Sequence, residues 1–339
     1  GRPRTRWPVR GPQHVSFLKV SEGCDHGCAF CAIPLWRGRH RSFALEALVA
    51  EAQALEARGV VELNLVAQDL AHWGRDLQGR PGLDALLRAL LRETGIPWFR
   101  LLYLYSAGLR APLVELLATE PRIVPYLDMP IQHASDRVLR AMRRPERADA
   151  LRAKIAGLRA SVPGLVLRTT VLVGFPGESE EDVDRLLDFL RDVEFDHLGA
   201  FAFSPQPGTP AAAMPDPVPD AVKEERLRRV LDLQEAITAA RNADRIGTED
   251  EAIVDAVGPE GVVARVRGQA YEVDGVTFLA GAPCHVRPGD RWRVRVTGAD
   301  VRDLYAEALA PVGRAPRAAA GRGRPLPVLP LGLATAYGR

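Results

Sequence analysis

Three cysteines that lie within eight residues constrain this chain more than any other feature of its sequence. Cys24, Cys28 and Cys31 have the spacing C-x-x-x-C-x-x-C and directly follow a short apolar run. The chain contains four cysteines, and a disulfide framework would not usually crowd three of them into one loop. Three thiolates on a short loop can ligate three irons of a 4Fe–4S cluster and leave the fourth iron open. The spacing therefore predicts a metal site in a protein that stays in the reducing cytoplasm.

Two other residues bear on the kind of metal. Structural zinc normally takes four protein ligands, and His26 inside the loop would complete a Cys3His zinc site, which remains the open alternative. The fourth cysteine, Cys284, lies far along the chain in a β-rich region. We expect it to be a buried, inert residue rather than a ligand.

The amino-acid composition limits which partners and which cellular location the protein can have. The 339 residues are 47% hydrophobic, which suits one large domain and a small one. Lys and Arg number 45 against 43 Asp and Glu, so the sequence has no global nucleic-acid footprint, although a local basic patch stays open. It has neither an apolar run of about 18 residues nor an apolar signal segment, so we expect no membrane span. Because it opens on Gly1 without an initiator methionine, we expect a piece of a longer protein.

Short apolar runs alternate with amphipathic stretches from Val15 to about Ser204. Six such repeats predict an α/β domain with parallel strands and crossover helices, in which an open sheet, a full barrel and a partial barrel all remain possible. The predicted strands are Val15–Val20, Val61–Val66, Phe99–Leu104, Tyr126–Ile131, Val166–Val173 and His197–Phe203. The predicted helices are Ala44–Arg58, Leu83–Glu93, Pro112–Thr119, Ala148–Ala160 and Glu180–Val193.

The pattern changes in the last third. A Pro-rich loop over Pro205–Pro219 precedes a long charged helix over Asp220–Asp244. Four short alternating strands then predict a small all-β barrel. These are Ala252–Val257, Val262–Val266, Val276–Leu279 and Arg291–Thr297. The predicted organisation is a linker remnant at 1–14, a core at 15–244, a β-barrel domain at 245–310 and a disordered tail at 311–339.

Several motifs beyond the cysteines resemble the radical S-adenosylmethionine (SAM) methylthiotransferases. They are Trp36-Arg-Gly38, Arg41-Ser42, Ala67-Gln-Asp69, Leu127-Asp-Met-Pro-Ile-Gln-His-Ala-Ser135, Arg143-Arg-Pro145, Leu167-Arg-Thr-Thr170, Val173-Gly-Phe-Pro-Gly-Glu178 and Phe203-Ser-Pro205. The resemblance covers roughly residues 15–310. It implies a partial (β/α)6 TIM-like radical SAM barrel followed by a TRAM domain, which is a small OB-like β-barrel.

Two branches of that family compete. The stretches Gln132-His-Ala-Ser135, Arg143-Arg-Pro145 and Leu167-Arg-Thr-Thr170 are similar to the RimO branch, which modifies an aspartate of small-subunit ribosomal protein twelve. The MiaB-like branch, which modifies adenosine in tRNA, is the alternative. Charge offers an independent criterion, because residues 247–310 hold eleven acids against seven arginines. A net-acidic module is a poor clamp for RNA phosphates and suits a basic ribosomal protein better, although arginines do cluster at Arg291–Arg295.

The resemblance also implies a set of SAM contacts. Phe30 would lie by the adenine, Gln68 and Asp69 near the methionyl group, and Gln132 and Arg168 beside them, with Arg168 on the SAM carboxylate. Each of these contacts has a competing interpretation. Phe30 could pack its loop, Gln68 and Asp69 could cap theirs, and Arg168 could form a buried ion pair. Two further residues, Gly174 and Glu178, would line the adenosyl group, unless Glu178 caps the next helix. No catalytic residue is assigned beyond the cluster.

The implied chemistry has two parts. One SAM supplies a methyl group to sulfur, and a second yields the 5′-deoxyadenosyl radical that abstracts hydrogen from the aspartate β-carbon, a step that needs a cofactor. Methylthiotransferases carry an N-terminal domain with a second 4Fe–4S cluster, and this sequence has no cysteines for it. We therefore expect a truncated enzyme that binds one cluster and cleaves SAM but does not complete sulfur insertion. Its expected partners are a flavodoxin or ferredoxin as electron donor and ribosomal protein twelve, contacted through the acidic TRAM domain, whereas tRNA is disfavoured.

Overall fold

The computed structural model describes residues 14–313, which form an α/β domain and a β-barrel. The linker predicted at 1–14 and the tail predicted at 311–339 therefore fall almost wholly outside the described residues. Within these residues no helix is long and apolar enough to span a membrane.

The α/β domain has eight strands and eight helices. Its strands are β1 (Val15–Lys19), β2 (Ser21–Glu22), β3 (Arg41–Ser42), β4 (Glu62–Val66), β5 (Trp98–Leu101), β6 (Ile123–Asp128), β7 (Val166–Val173) and β8 (His197–Ala202). Its helices are α1 (Ile33–Arg37), α2 (Leu45–Glu56), α3 (Leu83–Glu93), α4 (Ala111–Thr119), α5 (Asp136–Ala141), α6 (Ala148–Ser161), α7 (Glu180–Val193) and α8 (Asp220–Ala243).

Six parallel strands form one sheet in the order β1-β4-β5-β6-β7-β8. The described residues show no pairing between β1 and β8, so a full barrel is excluded and the six-stranded sheet agrees with the predicted partial barrel. Parallel pairing places the carboxyl ends of all six strands at one rim, where barrel chemistry usually lies.

Helix α7 illustrates how the sequence builds one of the crossovers. Ser179 is its N-cap, and Ser179 and Asp182 exchange side-chain and backbone hydrogen bonds in a capping box. Val183, Leu186 and Leu190 recur at helical spacing and are buried in the core beneath the sheet. Full burial stabilises each such side chain by about 1.5–3 kcal/mol.

Strand β6 departs most from its predicted position. It covers Ile123–Asp128 rather than Tyr126–Ile131, and after Pro130 the chain pairs with β7 only through an isolated bridge between Gln132 and Val171. Pro125 lies within the strand even though it has no N–H to donate. The register between β5 and β6 is irregular there, which accommodates the missing donor. Helices α1 and α5 were not predicted.

Five strands form the closed barrel, in the order β10-β11-β13-β12-β9. They are β9 (Glu249–Gly258), β10 (Gly261–Val266), β11 (Thr277–Ala280), β12 (Arg291–Ala299) and β13 (Leu304–Gly313). The sequence predicts the first four but not β13, which pairs with both β11 and β12 and completes the closure. Because β13 reaches Gly313, the disorder predicted from residue 311 is wrong for 311–313.

The β-barrel packs against the amino ends of the parallel strands. Ile253 and Ala270 lie in one buried cluster with Trp98 and Val166, which are the first residues of β5 and β7. At the same junction the buried Glu62 carboxylate pairs with Arg100 at 2.8 Å and with Arg265 of the β-barrel at 2.6 Å. The carboxyl ends of the strands therefore remain the rim available for a site.

Candidate metal centre

The three cysteines lie on the loop between β2 and α1, at the carboxyl rim. Gly23 starts this loop at φ +76°, and a Cβ there would lie 2.2 Å from the Arg39 carbonyl oxygen. Only glycine fits such a position without displacing the neighbouring backbone. The Cys24 N–H donates to the Gly38 carbonyl at 3.2 Å, and the Ala29 N–H donates to the Met142 carbonyl at 2.9 Å. These contacts hold the loop in place from both sides.

Cys24, Cys28 and Cys31 are free, half-buried thiols that line one cavity of about 430 Å³. Four residues predicted to contact SAM line the same cavity: Phe30, Gln68, Gln132 and Arg168. The structure therefore brings these four side chains together with the cysteines, although SAM binding by them stays a prediction.

The thiols suit a metal centre rather than free thiolates. Burial raises the pKa of Cys24 to about 11 and also raises the pKa of Cys31. Both are therefore protonated near neutral pH, and a metal must displace their protons to bind. Three sulfur donors on one loop, beside a cavity that can admit a further ligand, fit a 4Fe–4S cluster with one open iron.

Polar groups in the cavity also fit an added ligand. Gln68 Oε1 is buried and has no hydrogen-bond partner among the described residues. Such an orphaned acceptor costs about 1–3 kcal/mol unless a donor such as an amino group reaches it. Gln132 has φ +68° and Tyr103 has φ +60°, and both line the cavity. Strained non-glycine residues of this kind cluster at ligand sites.

Arg168 does form the ion pair that competes with a SAM contact. Its Nη1 lies 3.0 Å from Asp128 Oδ1, and its Nε lies 3.8 Å from Asp274 Oδ1 of the β-barrel domain. Burial raises the pKa of Asp128 despite the adjacent guanidinium. Arg168 thus joins the metal cavity to the domain interface.

Three other predicted SAM contacts are not among the residues that line this cavity. Asp69 is buried, accepts the Ala71 N–H at 3.0 Å and lies 2.7 Å from His26 Nε2, so it does cap its loop. Glu178 accepts the Gly174 N–H at 2.8 Å and pairs with Arg226 at 3.1 Å, while Ser179 caps the helix. Their roles toward SAM stay predictions.

Gly174 has φ +74°, but the space that a Cβ would fill there is already occupied. The Lys223 Cγ would lie 2.3 Å from such a Cβ. The close approach to Gly174 is therefore made by a side chain of α8.

His26, Asp69 and His72 place possible metal-ligand atoms within 4.8 Å of one another. The two imidazole rings stack at 4.6 Å with 25° between their planes, so their in-plane lone pairs do not converge on one point. Arg75 Nη1 also lies 2.9 Å from His72 Nδ1 and would repel a cation. The geometry does not support a metal on these three residues, and His26 is engaged by Asp69 rather than free to complete a zinc site.

Cys284 does not match its prediction. It is exposed, in a turn between β11 and β12, rather than buried in the β-barrel. It lies outside the cavity that holds the other three cysteines.

Among the cavity residues that were not predicted as site residues, two contact one another beside a cysteine. Tyr105 and Arg144 line the cavity, and the Tyr105 hydroxyl lies 3.3 Å from Cys28 Sγ. Tyr105 follows β5 as Gln68 follows β4, so the same end-of-strand reasoning applies to it. Arg144 belongs to the Arg-Arg-Pro motif, which pointed to a family branch but not to a site.

The fold and the three-cysteine cavity together define a radical SAM protein with a TRAM barrel, and comparisons with known proteins agree. Residues 18–190 match the radical SAM superfamily, and residues 246–309 match the TRAM domain. A radical SAM methyltransferase, TsrM from Kitasatospora setae, has a similar fold, with a TM-score of 0.50 and 18% identity over 62% of this chain and 41% of that one.

Sequence comparison assigns the chain more narrowly. It is 46% identical to the ribosomal protein uS12 methylthiotransferase RimO of Anaeromyxobacter sp. strain K, over 94% of this chain and 67% of that protein. The identity to RimO of Symbiobacterium thermophilum is 44%, over 89% of this chain and 63% of that protein. The identity to RimO of Moorella thermoacetica is 49%, over 79% of this chain and 61% of that protein. The chain belongs to the RimO family of radical SAM methylthiotransferases, and it spans about two thirds of the length of these relatives.

Proposed function

We propose that this chain carries the radical SAM part of an enzyme that methylthiolates the β-carbon of an aspartate in ribosomal protein uS12. The observation that carries the proposal is the meeting of Cys24, Cys28 and Cys31 at one cavity on the carboxyl rim of a partial barrel. The relatives named above, 44–49% identical, are uS12 methylthiotransferases. When bound, the cluster and SAM supply the radical chemistry that an unactivated C–H bond requires.

The chain's own residues would divide the work of binding. The three thiols hold the cluster, and the orphaned Gln68 Oε1 accepts from the amino group of SAM. Gln132 and Phe30 bound the cavity on its other sides. Arg168 is the cation predicted for the SAM carboxylate, and the Asp128 contact fixes its position. Aromatic and amide groups that surround a buried ligand exclude water from it, which protects a reactive species.

The β-barrel supports a protein partner over RNA. Arg265 is buried between Glu62 and Asp255, so it is not available to phosphate. The exposed cluster at Arg291–Arg295 faces Glu249 and Glu251 of β9, with Arg291 and Arg295 each 2.8 Å from one of these carboxylates. Arginines that are already neutralised contribute little to phosphate binding. A basic segment of uS12 is therefore the proposed ligand of this acidic domain, and tRNA is disfavoured.

The complete reaction would need components beyond those described. We propose a second 4Fe–4S cluster in the full-length enzyme as the route for sulfur, and a flavodoxin or ferredoxin as electron donor. Since the proposed substrate is a ribosomal protein, the proposed site of action is the cytoplasm.

The proposal is tested first on the chain itself. After anaerobic reconstitution it should hold about four irons, absorb near 400 nm as iron–sulfur proteins do, and convert SAM to 5′-deoxyadenosine when reduced. Cys31→Ala should abolish iron binding and SAM cleavage. Cys284→Ala, at an exposed position outside the cavity, should leave the two unchanged. About eight irons per chain would contradict the one-cluster proposal, and zinc alone on the cysteines would overturn the radical mechanism.

The substrate is tested with the complete gene. Expression in a strain that lacks its own uS12 methylthiotransferase should restore methylthio-aspartate, read by mass spectrometry of uS12 peptides. Methylthio-adenosine in tRNA, with unmodified uS12, would instead assign the enzyme to the MiaB-like branch.

A further inference from the structure

Tyr105 lies against one cysteine of the metal loop, and Arg144 in turn contacts Tyr105. The Tyr105 hydroxyl lies 3.3 Å from Cys28 Sγ, and Arg144 Nη1 donates to the same hydroxyl at 2.5 Å. The Arg144 guanidinium also lies over the Tyr105 ring, 4.2 Å from its centroid. The Tyr105 hydroxyl thereby connects the positive charge of Arg144 to a predicted cluster ligand through two hydrogen bonds.

Hydrogen counting fixes the direction of the Tyr105 bond. An arginine has donors but no acceptor, so the Tyr105 oxygen must accept from Arg144. The single phenolic hydrogen is then left for Cys28 Sγ, which becomes a permanent acceptor once it is a metal-bound thiolate.

Both side chains are held firmly. Arg144 Nη2 donates to the Pro130 carbonyl at 2.8 Å and lies 3.1 Å from Glu146 Oε1. The His26 ring stacks on Tyr105 at 3.9 Å with 14° between the planes. A donor that is pre-positioned in this way costs little to align when the cluster binds.

We propose that Tyr105, polarised by Arg144, sets the reduction potential of the cluster on Cys28 and makes the cluster easier to reduce. A hydrogen bond to a cluster sulfur, and a nearby positive charge, stabilise the reduced state more than the oxidised state because reduction adds negative charge to the sulfurs. Tyr105 and Arg144 are positioning residues in this role. The inference rests on the proposed cluster but not on the identity of the substrate.

Tyr105→Phe tests the proposal, because it removes the hydroxyl and keeps the stacked ring. Tyr103→Phe is the matched control, since Tyr103 lines the same cavity and its hydroxyl has no hydrogen bond to a cysteine among the described residues. Each reconstituted protein is titrated anaerobically without SAM, and the reduced cluster is followed by electron paramagnetic resonance. At the potential that half-reduces the parent cluster, Tyr105→Phe should lower the ratio of reduced to oxidised cluster about tenfold, or about 59 mV for one electron. Tyr103→Phe should not.

Arg144→Gln provides a second arm that leaves Tyr105 in place and should shift the potential in the same direction. A full iron content with an unchanged potential in Tyr105→Phe would overturn the proposal. If Tyr105→Phe alone loses iron, the reduction potential of Arg144→Gln decides whether the pair tunes the cluster. Loss of iron in both variants would assign the pair to cluster assembly and overturn the tuning role. A parent chain that holds no iron–sulfur cluster would instead refute the proposed function, and iron and sulfide analysis separates that case.

Discussion

Replacing Glu62 with glutamine should loosen the junction between the two domains. The Glu62 carboxylate is fully buried, with Arg100 Nε at 2.8 Å from one oxygen and Arg265 Nη2 at 2.6 Å from the other. An amide of nearly the same shape keeps the packing but leaves two guanidinium groups without their shared anion. Loss of one partner from a buried ion pair costs about 3–5 kcal/mol.

The pKa of Glu62 gives a second estimate of the same magnitude. Although burial opposes ionisation, the two arginines lower the pKa of Glu62 from 4.5 to about 2. At about 1.4 kcal/mol per pKa unit, that difference corresponds to roughly 3 kcal/mol of folding free energy near neutral pH. Because the folded-state pKa is the lower one, this contribution is complete above about pH 4.5 and is lost as the pH falls toward 2.

Urea unfolding measures the effect, with tryptophan fluorescence as the probe. Trp98 is buried at the same junction and donates to Glu251, so it reports on the contact directly. At pH 7 the Glu62→Gln variant should lose about 3–5 kcal/mol, and its deficit relative to the parent should shrink as the pH drops below 4.5. Glu115→Gln, at an exposed position on α4, should stay within about 0.5 kcal/mol of the parent. Equal stability of the two variants at pH 7 would refute the reasoning.

Three further predictions concern the metal loop and one helix. Gly23→Ala should prevent stable iron loading, because the new Cβ meets the Arg39 carbonyl at 2.2 Å, whereas Gly27→Ala, with no atom within 4 Å, should load normally in the same iron assay. If both load equally, the loop is not fixed by Gly23. Iron loading of the parent chain should release protons in an unbuffered titration near pH 7, since burial raises the pKa of Cys24 to about 11; loading without proton release would count against thiolate ligation. Ser179→Ala should lower the unfolding free energy by about 1 kcal/mol, because it removes the capping box of α7, and an unchanged urea midpoint would contradict that role.

The sequence predicted the parts of this molecule that depend on local pattern. Strand β7 and helices α3 and α7 have their predicted bounds. Their signals, which are the spacing of apolar residues and the residues at the ends, lie within or next to each segment. Strand β13 was missed, since its role in closing the β-barrel depends on pairing with β11 and β12 rather than on its own alternation. Cys284 was wrongly expected to be buried, because residue type predicts average burial and not the position of a turn.

The candidate site follows the same division. The cysteine spacing is local, and it indicated the cavity from the sequence alone. The Tyr105 contact with Cys28 spans 77 positions, and the Glu62 contact with Arg265 spans 203, so neither is visible in a motif. Contacts of this kind depend on which strands pair and on how the two domains pack, so they exist only in the folded chain.

Buried polar groups at the two ends of the barrel support different roles. At the amino end, both oxygens of the buried Glu62 carboxylate have arginine partners. At the carboxyl end, Gln68 Oε1 lacks a partner in the described chain, and Gln132 holds a strained backbone in the cavity that the three cysteines line. An unpaired acceptor and a strained residue both cost folding free energy, so their retention in one cavity indicates that a ligand offsets the cost. Both features support the proposed site at the cysteine rim without using the motif.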